Sequence, residues 1–478
     1  MSATNIKMKK IAGLFVIICL LSSFSCIYRK SGLKEEFEGH LSVILELASG
    51  PGEEISINIG ELRIKGDAQE TPASFSMNEK VMLKGTPRKV LLGDFPLEPG
   101  RYTQLDILIT EAFLFTDGRL VPVQIKDGSI PLETDIVMGP WEKKSFHAKM
   151  ICGVEEEDKD KVPVLKTFVK PDSKQVELRG LKAYVTDEAG NSVLIFDRLT
   201  GSALEVVPVG DSPKGIVISP DGTNVYIANS GSDTISVLDT MTKEITNTIF
   251  LGLGVGPEGL AITPDGKLLI SANSVSNNIS LIDTDTYRII KHISVGMSPL
   301  RVSVSPWGDW AFVANNRSDD LMIISLIARR VVSSIALRSG PVGVKSSSSG
   351  DEIFVCCHDS DIIQVIDNNL EEVVNSLPAN RGPIDIVLDK RRGRIYVANA
   401  ESNDVSISIE SMNMREASIP VGESPNALAL DDTRRLLYVV NQGDGTISII
   451  DLGKERIVDT IKAGTRPWGI VLDRFGID

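Results

Sequence analysis

Val225-Tyr226-Ile227-Ala228-Asn229 is followed by Thr234-Ile235-Ser236-Val237-Leu238-Asp239 and then by Gly254-Val255-Gly256-Pro257. Each apolar piece is short, rich in β-branched residues and bounded by Asn, Asp, Gly or Pro, which reads as short strands joined by tight turns. The pattern returns until the chain ends. Its proline falls at Pro213, Pro257, Pro299, Pro341, Pro383, Pro425 and Pro467. The polar residue that closes the first strand falls at Asp187, Asn229, Asn273, Asn315, Cys357, Asn399 and Asn441. The step is 44 once in each series (213 to 257, and 229 to 273) and 42 otherwise. A period of about 40 to 45 residues with several short strands per unit predicts propeller blades. The expected fold is all-β: a seven-bladed β-propeller over 179–478, preceded by a small β-sandwich domain.

Each unit carries four strand signals. In the second unit, residues 215–219 follow the proline and are expected to line the central channel. The turn Pro220-Asp221-Gly222 is matched by Pro264-Asp265-Gly266. Residues 225–228, 234–239 and 244–251 supply the other three strands. The series opens at Ala183-Tyr184-Val185-Thr186-Asp187 with no inner strand before it. It closes at Pro467-Trp468-Gly469-Ile470-Val471-Leu472 with nothing after it. The two fragments make one blade, so the last strand is expected to pair with the first and close the ring, which removes exposed inter-blade edges.

Tyr184-Val185-Thr186-Asp187, Tyr226-Ile227-Ala228-Asn229, Phe312-Val313-Ala314-Asn315, Tyr396-Val397-Ala398-Asn399 and Tyr438-Val439-Val440-Asn441 resemble the YVTN-type β-propeller repeat. The resemblance covers 181–478. It implies kinship with surface-layer repeat proteins, small periplasmic propellers, the d1-haem domain of nitrite reductase and, more distantly, seven-bladed lactonases. Binders and enzymes share that fold, so it leaves function open.

The N-terminal portion reads differently. Lys7, Lys9 and Lys10 precede an apolar run from Ile11 to Leu21, a basic start and short core that predict a secretory signal over 1–25. The run is too short to span a bilayer, which takes about 20 residues. Leu21-Ser22-Ser23-Phe24-Ser25-Cys26 resembles a bacterial lipobox, with Phe24 bulkier than that pattern prefers. The resemblance implies that Cys26 is lipidated, with 26–38 as a tether. From 39 to 153, Leu41, Val43, Leu45 and Leu47 alternate with other residues, as do Ile55, Ile57 and Ile59, then Leu105, Ile107 and Ile109, then Val121, Val123 and Ile125. Period-two alternation between turn signals predicts a β-sandwich of around eight short strands. The piece from Phe95 to Leu105 resembles a motif of prealbumin-like accessory domains, in which the tyrosine, here Tyr102, bonds backbone at a corner. The acidic and basic run Glu155-Glu156-Glu157-Asp158-Lys159-Asp160-Lys161 reads as part of a charged linker over 154–178.

Composition narrows the function. The net charge is −14, and the leader holds three lysines and no acid, so the body is more acidic still. That argues against nucleic-acid binding by phosphate neutralisation. The five cysteines, Cys19, Cys26, Cys152, Cys356 and Cys357, show neither a disulfide framework nor zinc-site spacing. Cys152, Cys356 and Cys357 read as buried free thiols. No HExxH, CxxCH, Walker or dinucleotide motif occurs, so no metal and no cofactor is expected. His358, beside the cysteine pair, is the one histidine in a loop position suited to a ligand.

Two sets of residues are candidates for binding. The recurring Asn229, Asn273, Asn315, Asn399 and Asn441 are expected to serve turns by bonding backbone, since asparagine at strand ends usually does so. The same holds for Asp197, Asp239, Asp283, Asp367 and Asp451. Function is expected where repeats differ, at the residues flanking the proline: Lys214, Glu258, Arg301, Asp385, Asn426, Arg466 and Trp468. The reading is a lipid-anchored protein of the bacterial cell envelope (outer membrane, periplasmic or surface-facing). Its propeller would be a non-catalytic scaffold for a protein, glycan or matrix partner. The alternative is a lactonase-like hydrolase using Glu258, Asp385 and Arg301.

Overall fold

The computed structural model describes residues 39–49, 54–67, 72–84, 88–116, 119–125, 129–138, 143–155, 164–171, 181–409 and 414–473. Cys26, the leader and the tether lie outside these residues. The described residues are almost entirely strand, with one short 3-10 turn at His358–Ser360. None of their helices is long and apolar enough to cross a membrane.

Ten strands precede the repeats: β1 (Gly39–Ser49), β2 (Glu54–Gly66), β3 (Ala73–Lys84), β4 (Arg88–Leu97), β5 (Gly100–Thr116), β6 (Arg119–Pro122), β7 (Gln124–Ile125), β8 (Ser129–Met138), β9 (Lys143–Glu155) and β10 (Val164–Pro171). They form two sheets, β4-β1-β9-β10-β7 and β3-β2-β5-β6, with β8 also on β5. Leu41, Val43, Leu45 and Leu47 face Ile55, Ile57, Ile107 and Leu132 in one core. Three details differ from expectation. Strands run up to 17 residues rather than staying short. Val121 and Ile125 belong to separate strands in opposite sheets, because the chain crosses the core at buried Val123. The expected linker contains β10, which pairs antiparallel with β9, so this first unit extends to Pro171. A strand was not anticipated there because the charge run beside it masks a short apolar piece. Tyr102 is buried and its hydroxyl donates to the Glu98 carbonyl at 2.6 Å, which fastens the turn at Pro99 and Gly100.

The repeats fold into seven four-stranded sheets among the described residues. We number the blades by their inner strands: blade 1 from Pro467, blade 2 from Pro213, blade 3 from Pro257, blade 4 from Pro299, blade 5 from Pro341, blade 6 from Pro383 and blade 7 from Pro425. In blades 2 to 7 the four strands are consecutive. Blade 1 joins Pro467–Leu472 to Lys182–Asp187, with Val471 opposite Tyr184 and Ile470 opposite Val185. Inner strands touch in order around the ring, including blade 7 with blade 1 and blade 1 with blade 2, so the ring is closed. Successive blades stack through apolar second and third strands such as Leu269, Ile282 and Val237.

A tight turn links the second and third strands of each blade, and one residue there adopts the left-handed region. It is Asn191, Asp233, Asn277, Asp319, Asp361, Asn403 or Gly445. Asparagine and aspartate tolerate that backbone better than other side chains do. In blades 1 to 6 the side chain also accepts the backbone N–H of the residue before the next blade's proline. Those residues are Ser212, Gly256, Ser298, Gly340, Gly382 and Ser424, at 2.7–2.9 Å. One Asx side chain thus shapes its own turn and latches the neighbouring blade.

Candidate functional site

The recurring asparagines are fully buried and structural, as expected, but their partners are mainly side chains, with one backbone bond from Asn399 Nδ2 to the Val397 carbonyl at 3.3 Å. Each amide donates to side chains on the third strand of its own blade. Asn229 Nδ2 reaches Thr234 Oγ1 at 3.0 Å and Ser236 Oγ at 2.9 Å, and Asn441 repeats this with Thr446 and Ser448. Asn273 uses Asn278 and Ser280, and Asn399 uses Asp404 and Ser406. The period-two face of a third strand puts positions five and seven residues on within reach of the strand end. Cys357 takes this place in blade 5, with its Sγ 3.4 Å from Gln364 Oε1. The recurring aspartates do cap turns: Asp197, Asp239, Asp283, Asp367 and Asp451 each accept backbone N–H groups two or three residues on.

The proline-flanking residues do come together. Lys214 Nζ of blade 2 lies 2.7 Å from Glu258 Oε1 of blade 3 and 3.9 Å from Glu188. Ser274 Oγ donates to Glu258 Oε1 at 3.2 Å, and Glu258 is buried. Arg466 Nε lies 3.4 Å from Glu188 Oε2. On the far side, Arg301 of blade 4 reaches across the axis. Its Nη2 donates to the Asn426 carbonyl of blade 7 at 3.0 Å, and its guanidinium lies over the Trp468 ring of blade 1 at 4.2 Å. Asn426 Nδ2 donates to the Trp468 carbonyl at 2.7 Å. Asp385 Oδ2 accepts the Leu428 N–H at 2.8 Å.

Backbone crowding limits the side chain at the second residue after the proline. The second residue after the proline is Gly215, Gly259, Gly343 or Gly469 in four blades. A Cβ there would press on the next inner strand: 2.6 Å from the Leu300 oxygen at Gly259, 2.7 Å from the Ile384 oxygen at Gly343 and 2.9 Å from the Lys214 oxygen at Gly469. Arg301 and Asp385 occupy the same register in blades 4 and 6. Breaking the glycine rule was the available sequence signal for both. Glu188 and Ser274 were missed, since they follow the closing polar residue of the second strand and nothing in the repeat singles them out.

The three described cysteines are buried and free, as expected. Burial pushes Cys152 and Cys357 up to about 12 and holds Cys356 well above the ordinary thiol value, which keeps them as thiols. His358 Nδ1 lies 2.8 Å from Asp359 Oδ1. Among the described residues, no group of three or more His, Cys, Asp or Glu is placed to hold a metal ion. Surface clefts lie away from the channel mouth. One is between sandwich and propeller at Glu79, Lys89 and Lys462, and one is beside the outer strands of blades 1 and 2 at Glu205 and Thr242.

Residues 217–477, more than half of the chain, match the YNCE-like beta-propeller family. The chain belongs to that family. No curated protein matches it. Among solved structures, hydrazine synthase of Kuenenia stuttgartiensis is similar at 22% identity and a TM-score of 0.51, over 56% of this chain and 91% of that one. A functionally unknown protein from Desulfotomaculum acetoxidans is similar at 14% identity and a TM-score of 0.56, over 61% of this chain and 98% of that one. At these identities the likeness concerns the propeller fold alone.

Proposed function

We propose that this family member is a binding protein of the bacterial envelope, held at the membrane through lipid on Cys26, whose proline-side propeller face receives a protein or glycan partner. The observation that carries the reading is that proline-flanking residues of five blades meet in two groups, Lys214 with Glu258 and Arg301 with Asn426 and Trp468. Groups already ordered by one another cost little further entropy on association. A charge pair, Lys214 with Glu258, and an arginine stacked on an aromatic ring suit selection among partners. In the same contacts Glu258 is held by Lys214 and Ser274, and Asp385 by the Leu428 N–H, so both serve the packing of neighbouring blades.

A photoreactive amino acid at position 466 tests the face in intact cells. A discrete adduct that disappears when Trp468→Ala and Lys214→Ala are added supports binding there. Turnover of a lactone panel by purified protein, abolished by Glu258→Gln, replaces the scaffold reading with the hydrolase. Two or more acyl chains at about 0.8 kcal/mol per buried methylene hold a protein stably on a bilayer. Cys26→Ser is therefore expected to move the chain to the soluble fraction, and retention in membranes refutes the anchor.

A further inference from the structure

The joint between blades 7 and 1 is built unlike the other six, and the sandwich sits on it. The Asx latch is absent there, because the turn residue is Gly445. Asp187 replaces it from the opposite blade, accepting the N–H groups of Thr465 at 2.9 Å and Arg466 at 2.7 Å. On the other side of the seam Arg198 is buried. Its Nη1 lies 2.9 Å from Asp431 Oδ2 of blade 7, and its Nη2 donates to the Asp473 carbonyl at 2.6 Å. At the same register the Thr240 and Thr284 hydroxyls donate to carbonyls of their own blades, and among the described residues no buried ion pair stands there.

The sandwich covers both blades. Ile44 lies between Val43 and Leu45 on β1, so it faces away from the sandwich core. Leu91 is beside Leu92 on β4 and likewise faces out. Both are nevertheless buried, in one apolar cluster with Phe196 and Val206 of blade 1, Ile461 of blade 7 and Ile470 of the closing strand. Polar contacts flank this cluster. Lys462 Nζ of blade 7 donates to the Leu92 carbonyl at 2.6 Å, and the Lys89 N–H donates to Ser202 Oγ of blade 1 at 3.0 Å.

We propose that the sandwich is a clasp across the seam of the propeller, and that its docking holds the closing strand Pro467–Leu472 in place. A ring closed without covalent linkage opens first where one strand from the far end of the chain must stay paired. The sandwich meets the outer strands Ala203–Pro208 of blade 1 and Arg456–Lys462 of blade 7. Ile470 of the closing strand shares with Ile44 and Leu91 the apolar cluster that runs between these two blades, and two residues away the strand carries Trp468. Docking of the sandwich and order at the binding face are then linked, each favouring the other. The link to the face rests on the reading above, whereas the clasp does not.

Hydrogen exchange on the full chain tests the clasp. In the variant Ile44→Ser with Leu91→Ser, neither substitution touches the sandwich core. Exchange in 182–187 and 467–472 is expected to rise by about ten-fold or more, as local opening becomes easier, while 310–315 and 352–357 in blades 4 and 5 hold their protection. Lys462→Met, a milder change that keeps the apolar cluster, is expected to show the same pattern at smaller size. Unchanged seam exchange in both variants, or an equal rise in all blades, overturns the proposal. The readout needs no partner, so it stands apart from success or failure of the photo-crosslinking experiment.

Discussion

Arg301 and Trp468 stand on inner strands three blades apart, as far as a seven-membered ring allows, yet the guanidinium carbon lies 4.2 Å from the centre of the indole. The arginine therefore crosses the channel and ties blade 4 to the closing strand. A stacked cation of this kind contributes about 0.5–2 kcal/mol. Arg301→Ala is expected to lower urea stability by about that amount and to alter Trp468 fluorescence. Arg301→Lys should recover only part of the loss, since an ammonium lacks the planar face that stacks. Equal stability of all three proteins would show that the contact contributes nothing.

The latch between blades makes a graded prediction. Asp233 accepts three backbone N–H groups, from Gly254, Val255 and Gly256, whereas Asn277 accepts that of Ser298. Glycine keeps the left-handed backbone and removes only the side chain. Asp233→Gly is expected to cost about 2–3 kcal/mol and Asn277→Gly about 1 kcal/mol, because three bonds are lost in the first and one in the second. Equilibrium denaturation of the two variants checks the order.

At the seam, burial lowers the Arg198 pKa while Asp431 opposes that effect. Removing one partner strands the other charge in a poorly solvated place. Asp431→Asn is expected to destabilise by about 3–5 kcal/mol, and Arg198→Met combined with Asp431→Leu to recover most of it. A double-mutant cycle by thermal unfolding measures both.

Acid should unfold the propeller through its turns. The Thr242 N–H lowers Asp239, the Thr263 hydroxyl lowers Asp265, and at Asp233 burial acts upward but is outweighed by three N–H groups. A carboxylate depressed in the folded state contributes stability that is full above its unfolded value, 3.8, and is lost as pH falls through the folded value. Denaturation midpoints are thus expected to hold from neutral pH to about 4 and to fall below it. Asp239→Asn should flatten that fall, and an unaltered slope would place the acid sensitivity elsewhere.

The repeat period, the closing polar residue and the half-blades at each end were enough to specify the propeller and its closure. A spacing of 42 residues can recur in five of six steps only if each unit makes the same turns and buries the same faces. The alternation of Leu41, Val43, Leu45 and Leu47 likewise placed one face of a sheet before any coordinates existed. Local chemistry settles such matters, because strand period and turn residues act over a few positions.

Other features depended on which elements meet across space. That Ile44 serves the propeller rather than the sandwich, and that β10 joins the first sheet, follow from packing between distant segments. So does the contact of Arg301 with Trp468, which exists only because ring closure sets blade 4 opposite blade 1. No pattern in the chain encodes a distance across the axis. The proline-flanking positions could be picked out by their variation, but their pairing was decided when the ring shut and brought inner strands of different blades side by side.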